Sequence, residues 1–164
     1  MPTLSRTVPL LLRPAAIGSP HLALVAAGGQ PGLEAPGFYC ELDVQIRGAP
    51  EARGGYIISI SEVDSAIRHL LPAELAARPD LLEPSRGLAS WCALLHSLAH
   101  ALATALGRGE PRLELRWSPF LTLSVDPAMP DRYQVTRRFD FSSSHRLHIP
   151  GLSDQENFAR FGKC

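Results

Sequence analysis

Cysteine is scarce in this chain, and net charge is absent. The three cysteines of the 164 residues, Cys40, Cys92 and Cys164, make an odd set without a short paired spacing. That pattern argues against a disulfide framework and against a CxxC zinc knuckle. The 16 basic residues balance the 16 acidic ones. Because a phosphate backbone is bound by a basic surface, we expect no nucleic-acid partner.

The N-terminal segment also lacks a long apolar run. The apolar run 8–12 contains Pro9 and is followed by Arg13 and Pro14. A bilayer span needs about 20 apolar residues, and a proline-interrupted run makes a poor secretory signal. With 45% hydrophobic and 20% charged residues, the chain has the composition of a globular protein. We therefore expect a cytoplasmic protein that contacts no membrane.

Hydrophobic periodicity predicts strands at both ends of the chain and helices between them. The pattern of apolar residues predicts four strands, at 4–12, at 39–47, at 113–117 with an extension over 120–125, and at 133–141. Helical spacing predicts one helix that starts at a capping box, Ser61 to Asp64, and ends at Pro72, and a longer one over 88–106 that stops at Gly107. The stretch 18–36, rich in glycine, proline and alanine, is predicted to be a loop. The order ββααββ indicates an α+β domain with both helices on one face of an antiparallel sheet.

Residues 139–147 read F-D-F-S-S-S-H-R-L and are followed by L-S-D-Q-E-N at 152–157 and F-G-K-C at 161–164. This segment resembles the opening of the 6-pyruvoyl-tetrahydropterin synthase family, which includes 6-carboxytetrahydropterin synthase of the queuosine pathway. The resemblance implies the tunnelling fold, a four-stranded antiparallel sheet with two helices on one face. It also implies a homo-oligomer, because neighbouring units of that fold join their sheets into a barrel.

The resemblance assigns roles to two residues of the final segment. His145 would be the first of three zinc-binding histidines, and Cys164 would be the catalytic thiol. The implied activity is a zinc-dependent carbon–carbon or carbon–oxygen lyase that acts on the pterin 7,8-dihydroneopterin triphosphate. The family's other zinc histidines come after the cysteine, where this chain ends. We therefore expect an N-terminal fragment that is inactive alone and binds Zn²⁺ only if the missing histidines are supplied.

The earlier part of the chain resembles a complete but degenerate unit of the same family. The matching segments are 37–44, 55–64 and 115–119. They predict a tandem of one unit over 4–127 and the start of a second over 133–164. Phe38 stands where a zinc histidine is expected, and Trp117 stands where the pterin-anchoring glutamate is expected. Neither side chain can take that role. The alternative is therefore a non-catalytic tunnelling-fold assembly or a pterin-binding module.

The remaining histidines have simpler interpretations. His21 is interpreted as a loop residue, or as a relic of the first zinc ligand in the degenerate unit. His96 and His100 share a helix face, but the glutamate of an H-E-x-x-H motif is missing between them. A face of mixed polarity or a subunit contact explains them better. His148 is interpreted as a loop residue, because a strand turns residues three apart to opposite faces.

Overall fold

The strands of the chain form one antiparallel sheet. The computed structural model describes residues 1–15, 18–19, 21–29, 37–52, 54–142 and 147–162. In chain order the elements are β1 Thr3–Pro14, β2 Leu22–Ala26, β3 Phe38–Arg47, α1 Ile60–Ala76, α2 Gly87–Leu106, β4 Arg112–Ser118, β5 Leu121–Val125, β6 Tyr133–Arg137 and α3 Asp154–Phe161. A 3₁₀ turn, Pro79–Leu82, lies between α1 and α2. The sheet has six strands in the order β2-β1-β3-β4-β5-β6.

The predicted α+β class is confirmed, whereas the predicted counts of four strands and two helices are wrong. The described residues form six strands and three helices. One extra strand is β2, which lies within the stretch 18–36 that was predicted to be a loop. It pairs with β1 from Leu11 onwards. Pro9 therefore lies where one side of β1 is a free edge, and there a residue without an N–H group is tolerated.

The last strand carries the sheet into the C-terminal part of the chain. β6 pairs with β5 from Val125 opposite Tyr133 to Leu121 opposite Arg137. It is shorter than the predicted strand 133–141. The sheet thus continues into the residues assigned to a second unit. The division into units 4–127 and 133–164 stays a prediction.

Both α1 and α2 cover the same face of the sheet. The buried side of α1 is a stripe of residues three to four apart: Val63, Ile67, Leu71 and Leu75. The buried side of α2 comprises Trp91, Cys92, Leu94, Leu95, Leu98, Ala99 and Leu102. By length and composition α2 would also suffice for a membrane span. In the fold it packs on the sheet, so the core accounts for its apolar composition.

The predicted start and end of α1 are both wrong, whereas the predicted C-terminal end of α2 is confirmed. Ser59, not Ser61, precedes the first turn of α1, and its side chain makes no capping bond. Asp64 instead accepts two hydrogen bonds from the Arg6 guanidinium of β1, at 2.8 and 2.6 Å. Pro72 lies inside the helix. Leu71 and Leu75, on either side of it, are buried in the core. Gly107 ends α2 with φ +60°.

The described C-terminal residues form a loop and a short helix held by one amide. Asn157 of α3 is only 3% exposed. Its Oδ1 accepts from the Ile149 N–H at 2.7 Å, and its Nδ2 donates to the carbonyls of Ile149, Leu152 and Ser153. Ser153 and Glu156 form a capping box at the start of α3. The hydrogen bonds of the Asn157 side chain therefore hold the loop and α3 together within residues 147–162.

Candidate functional site

The face of the sheet opposite α1 and α2 carries polar side chains, and we call it the open face. Strand alternation places on it Thr7 of β1, Tyr39, Glu41, Asp43 and Gln45 of β3, Arg112, Glu114 and Arg116 of β4, and Ser124 of β5. The register sets Glu41 opposite Arg116 and Asp43 opposite Glu114. Acidic and basic groups from distant parts of the sequence therefore meet at the centre of the sheet.

Arg116 is the centre of a charge network on this face. Its guanidinium donates to Glu41 and, at 2.7 Å, to Asp43, and it lies 3.7 Å from a carboxylate oxygen of Glu114. Asp43 is 9% exposed and also accepts a hydrogen bond from the Thr7 hydroxyl. A guanidinium whose fork is matched by carboxylates is rigidly oriented. The network therefore locks β1, β3 and β4 together on the side that the helices do not cover.

The hydrogen bonds of this network set the protonation of Glu41. The Tyr39 hydroxyl donates to Glu41 at 2.9 Å, and Arg116 donates to the other carboxylate oxygen. These two bonds, that of Tyr39 first, lower the pKa of Glu41 below its usual value. The bonds to Glu41 in turn raise the pKa of Tyr39 and the pKa of Arg116. Glu41 thus stays ionised at neutral pH and serves as a fixed charge, not as a proton carrier.

A cleft of about 280 Å³ opens at one end of the network. Its walls are Tyr39, Glu41, Arg116, Trp117, Ser118 and Pro119. The Trp117 ring lies 4.5 Å from the Trp91 ring and 6.3 Å from the Phe38 ring, between centroids. The Trp91 indole N–H donates to the Leu81 carbonyl at 3.1 Å, which fixes the aromatic group to the core. The cleft therefore combines a rigid aromatic wall with a charged one.

The two residues on which the predicted catalytic site depends lie outside the described residues. These residues are His145 and Cys164. Phe38 and Trp117, the predicted replacements for a zinc ligand and a pterin anchor, do lie beside each other. The described ranges hold no group of three or more His, Cys, Asp or Glu side chains that could bind a metal ion. On their own, the described residues do not fit a zinc site.

The other histidines do not converge in the described structure. His96 is half-buried on α2, and His100 is exposed with its Nδ1 3.0 Å from Glu110. His21 and His148 are exposed in loops, as the sequence predicts. Each of these positions agrees with a structural role.

The described cysteines are poor nucleophiles. Cys40 and Cys92 are buried free thiols. Burial is the main cause that raises the pKa of Cys40 to about 12, and burial also raises the pKa of Cys92. A thiol reacts as its thiolate, so neither is suited to catalysis. The thiol chemistry that the resemblance implies therefore depends on Cys164.

The chain is similar to known proteins over a short segment, in which the sequence identity is high. The chain is 61% identical over 31 residues to the 6-pyruvoyl tetrahydrobiopterin synthases of Homo sapiens and Pongo abelii, which is 19% of this chain and 21% of each synthase. It is 63% identical over 30 residues to that of Drosophila melanogaster, which is 18% of either chain. The chain thus spans about a fifth of the length of these curated relatives. No family model and no solved structure matches it.

Proposed function

We propose that the chain serves a zinc-dependent lyase reaction of the 6-pyruvoyl-tetrahydropterin synthase type, on 7,8-dihydroneopterin triphosphate. The 61% identity over 31 residues with named synthases carries this proposal. The resemblance assigns His145 as a zinc ligand and Cys164 as the thiol. The queuosine-pathway subtype rests on the resemblance alone, which does not specify the product.

In this proposal residues 4–127 act as a scaffold for the segment that follows. Two observations support that role. The positions expected to bind zinc and pterin hold Phe38 and Trp117, whose rings neighbour each other and offer no acceptor for either ligand. Carboxylates at the sheet centre are already paired with Arg116. The scaffold would present the final segment and join its sheet to that of another copy.

The zinc ion requires ligands beyond those of the described residues. A catalytic zinc site takes three protein ligands and keeps one position open. His145 supplies one, and the described ranges contain no cluster that supplies the others. The remaining ligands would have to come from residues outside these ranges or from another chain.

A non-catalytic assembly or pterin-binding module is the second candidate. The cleft beside Trp117 favours it, because an aromatic wall suits a flat heterocycle. Buried thiols of raised pKa and the lack of a metal cluster among the described residues agree with that role. This candidate needs neither His145 nor Cys164.

The test uses the parent protein purified from its own cells. Zinc content is measured by mass spectrometry, and turnover by triphosphate released from 7,8-dihydroneopterin triphosphate. We expect bound zinc and turnover in the parent protein, and loss of both in His145→Ala. The control His148→Ala changes an exposed histidine three residues away and should keep both. Cys164→Ser should keep the zinc and lose turnover.

Other results would contradict the lyase proposal. Zinc content that is the same in His145→Ala and in the parent would remove His145 from the metal site. Turnover that survives Cys164→Ser would remove the thiol from the reaction. Pterin binding without zinc and without turnover would instead favour the module.

A further inference from the structure

One side of β6 presents apolar side chains beyond the reach of the helices. The register sets Tyr133 opposite Val125 and Val135 opposite Leu123. Because directly opposed residues of a sheet point to the same face, Tyr133 and Val135 lie on the side that carries the core. Their partners on β5 are buried beneath α2, whereas Tyr133 is 52% exposed and Val135 is 37% exposed. The helix layer therefore ends above β5, and β6 extends the sheet past it.

This apolar side continues past the end of the strand. The Arg138 N–H donates to the Phe120 carbonyl at 2.9 Å, so the extended pairing runs one residue beyond β6. Phe139 is 73% exposed, and its ring centre lies 5.1 Å from the guanidinium carbon of Arg137, so the two side chains share a side. Among the described residues Arg137 has no ion pair. We call the set that shares this side the β6 stripe: Tyr133, Val135, Arg137 and Phe139.

The helix α3 presents a second exposed surface, whose chemistry matches the β6 stripe. Phe158 is 62% exposed, and Asp154 and Phe161 lie one turn before it and one turn after it, on the same side of the helix. The first turn is acidic, since it holds both Asp154 and Glu156, and Arg160 lies in the last turn. The apolar side of α3 therefore begins at negative charge, whereas the β6 stripe contains a cation without a counter-charge.

We propose that two copies of the chain associate by placing α3 of each copy on the β6 stripe of the other. Phe158, Tyr133 and Val135 are exposed together in the single chain, so α3 does not cover the stripe of its own copy. A second copy carries both the helix and the stripe. A twofold arrangement would use each surface once and leave neither open.

In this contact Phe158 would pack on Val135 and Tyr133, and the acidic first turn of α3 would lie beside Arg137. Apolar burial at the centre and opposite charges at the rim are typical of an interface between proteins. The contact uses the face of β6 and not its edge. It therefore depends neither on a barrel of joined sheets nor on the proposed lyase activity.

Sedimentation equilibrium of the chain over a range of concentrations measures the association. We expect a monomer–dimer equilibrium whose dissociation constant rises about tenfold or more in Phe158→Ser, because an aromatic side chain is lost from the contact. Arg137→Glu should raise it as well, because like charges then meet. The control Tyr56→Ser changes an aromatic side chain that is 74% exposed in the loop before α1, and it should associate as the parent does. A melting curve for each variant verifies that it is folded.

Cysteine cross-linking identifies the two surfaces. Val135→Cys and Phe158→Cys are made on separate chains, each with Cys164→Ser, and one of them carries a mass tag. The buried thiols Cys40 and Cys92 have raised pKa values and react poorly. After mixing and mild oxidation, we expect a disulfide-linked dimer that contains one chain of each kind.

Other outcomes overturn the proposal. A chain that stays monomeric at every concentration has no such contact. A dissociation constant that is equal in Phe158→Ser and in the parent places the interface elsewhere, for example at a sheet edge. If a chain with both new cysteines forms the disulfide within one monomer, then α3 packs on the β6 stripe of its own copy.

Discussion

Replacing Arg116 by methionine removes the cation that holds the open face together. Methionine keeps most of the apolar stem of the side chain but provides no donor. Glu41 then retains only the Tyr39 hydroxyl, and Asp43 retains only the Thr7 hydroxyl. Two carboxylates on adjacent positions of one strand face lose their counter-charge. The substitution therefore tests whether this network stabilises the fold.

The size of the effect follows from burial. Hydrogen bonds to charged groups contribute about 1.5 to 3 kcal/mol each. Arg116 is 39% exposed, so solvent screens part of that value, whereas Asp43 is only 13% exposed as a side chain. We expect a loss of about 2 kcal/mol in the free energy of unfolding, since one of the two bonds is screened. For a chain of this size that lowers the melting temperature by about 6 °C.

Urea unfolding followed by tryptophan fluorescence measures the change. Trp91 is buried and Trp117 packs on it, so both report the loss of the core beside the network. The slope of the free energy against urea concentration should stay the same, because the surface exposed on unfolding does not change. Under that condition the difference between the variants is a difference in stability.

A matched control is Arg138→Met, which removes an exposed pair with Asp140 whose side chains are 67% and 57% exposed. Such surface pairs contribute about 0 to 1 kcal/mol. If Arg116→Met costs no more than this control, then the network is not a stabilising element and the reasoning is wrong. Arg116→Lys should fall between the two, because lysine keeps the charge without the two-pronged geometry.

Three further predictions concern acid, thiol reactivity and the tail. The lowered pKa of Glu41 means that its stabilising contribution is complete above its ordinary value of 4.5 and is lost as the pH falls through the lowered pKa. Glu41→Gln should therefore flatten the acidic side of a stability–pH curve, and an unchanged curve would contradict this. Cys40, with its pKa raised to about 12 by burial, should resist iodoacetamide at pH 8 in the folded protein and react in urea. Peptide mass mapping checks this, and rapid modification of the native protein would disagree. Asn157→Ala should speed proteolysis within 147–162 without moving the main melting transition, because its bonds join that segment only to itself. A large fall in melting temperature would show that the segment supports the main core.

Elements such as β3 and α2 could be predicted because their local sequence pattern alone determines them. β3 alternates apolar and polar residues from Cys40 to Arg47, and α2 ends at Gly107, which can adopt a positive φ. The strand β2 was missed because its five residues sit in a stretch whose glycine and proline content indicates a loop. The start of α1 was misplaced because Asp64 binds Arg6, a residue 58 positions away, instead of capping the helix. Such long-range pairs leave no local signal.

The candidate site could be predicted only in part for the same reason. Glu41 and Asp43 on one strand, and Glu114 and Arg116 on another, alternate with apolar residues, which indicates that each strand has one polar face. Which strands become neighbours, and in which register, depends on the packing of the helices between them. Phe38 and Trp117 were singled out from the resemblance, and they do lie beside each other. His145 and Cys164 lie outside the described residues, so their roles stay predictions.

The central pairing of the sheet also determines the order in which the chain can fold during synthesis. β3 finds β1 soon after both leave the ribosome, but its other neighbour, β4, begins only at Arg112. Until then one edge of β3 has no partner strand, although the residues of α1 and α2 have already been synthesised. Non-local pairings of this kind slow folding and expose a strand edge to other chains. Slow translation between α2 and β4 would lengthen that exposure and favour aggregation of the nascent protein.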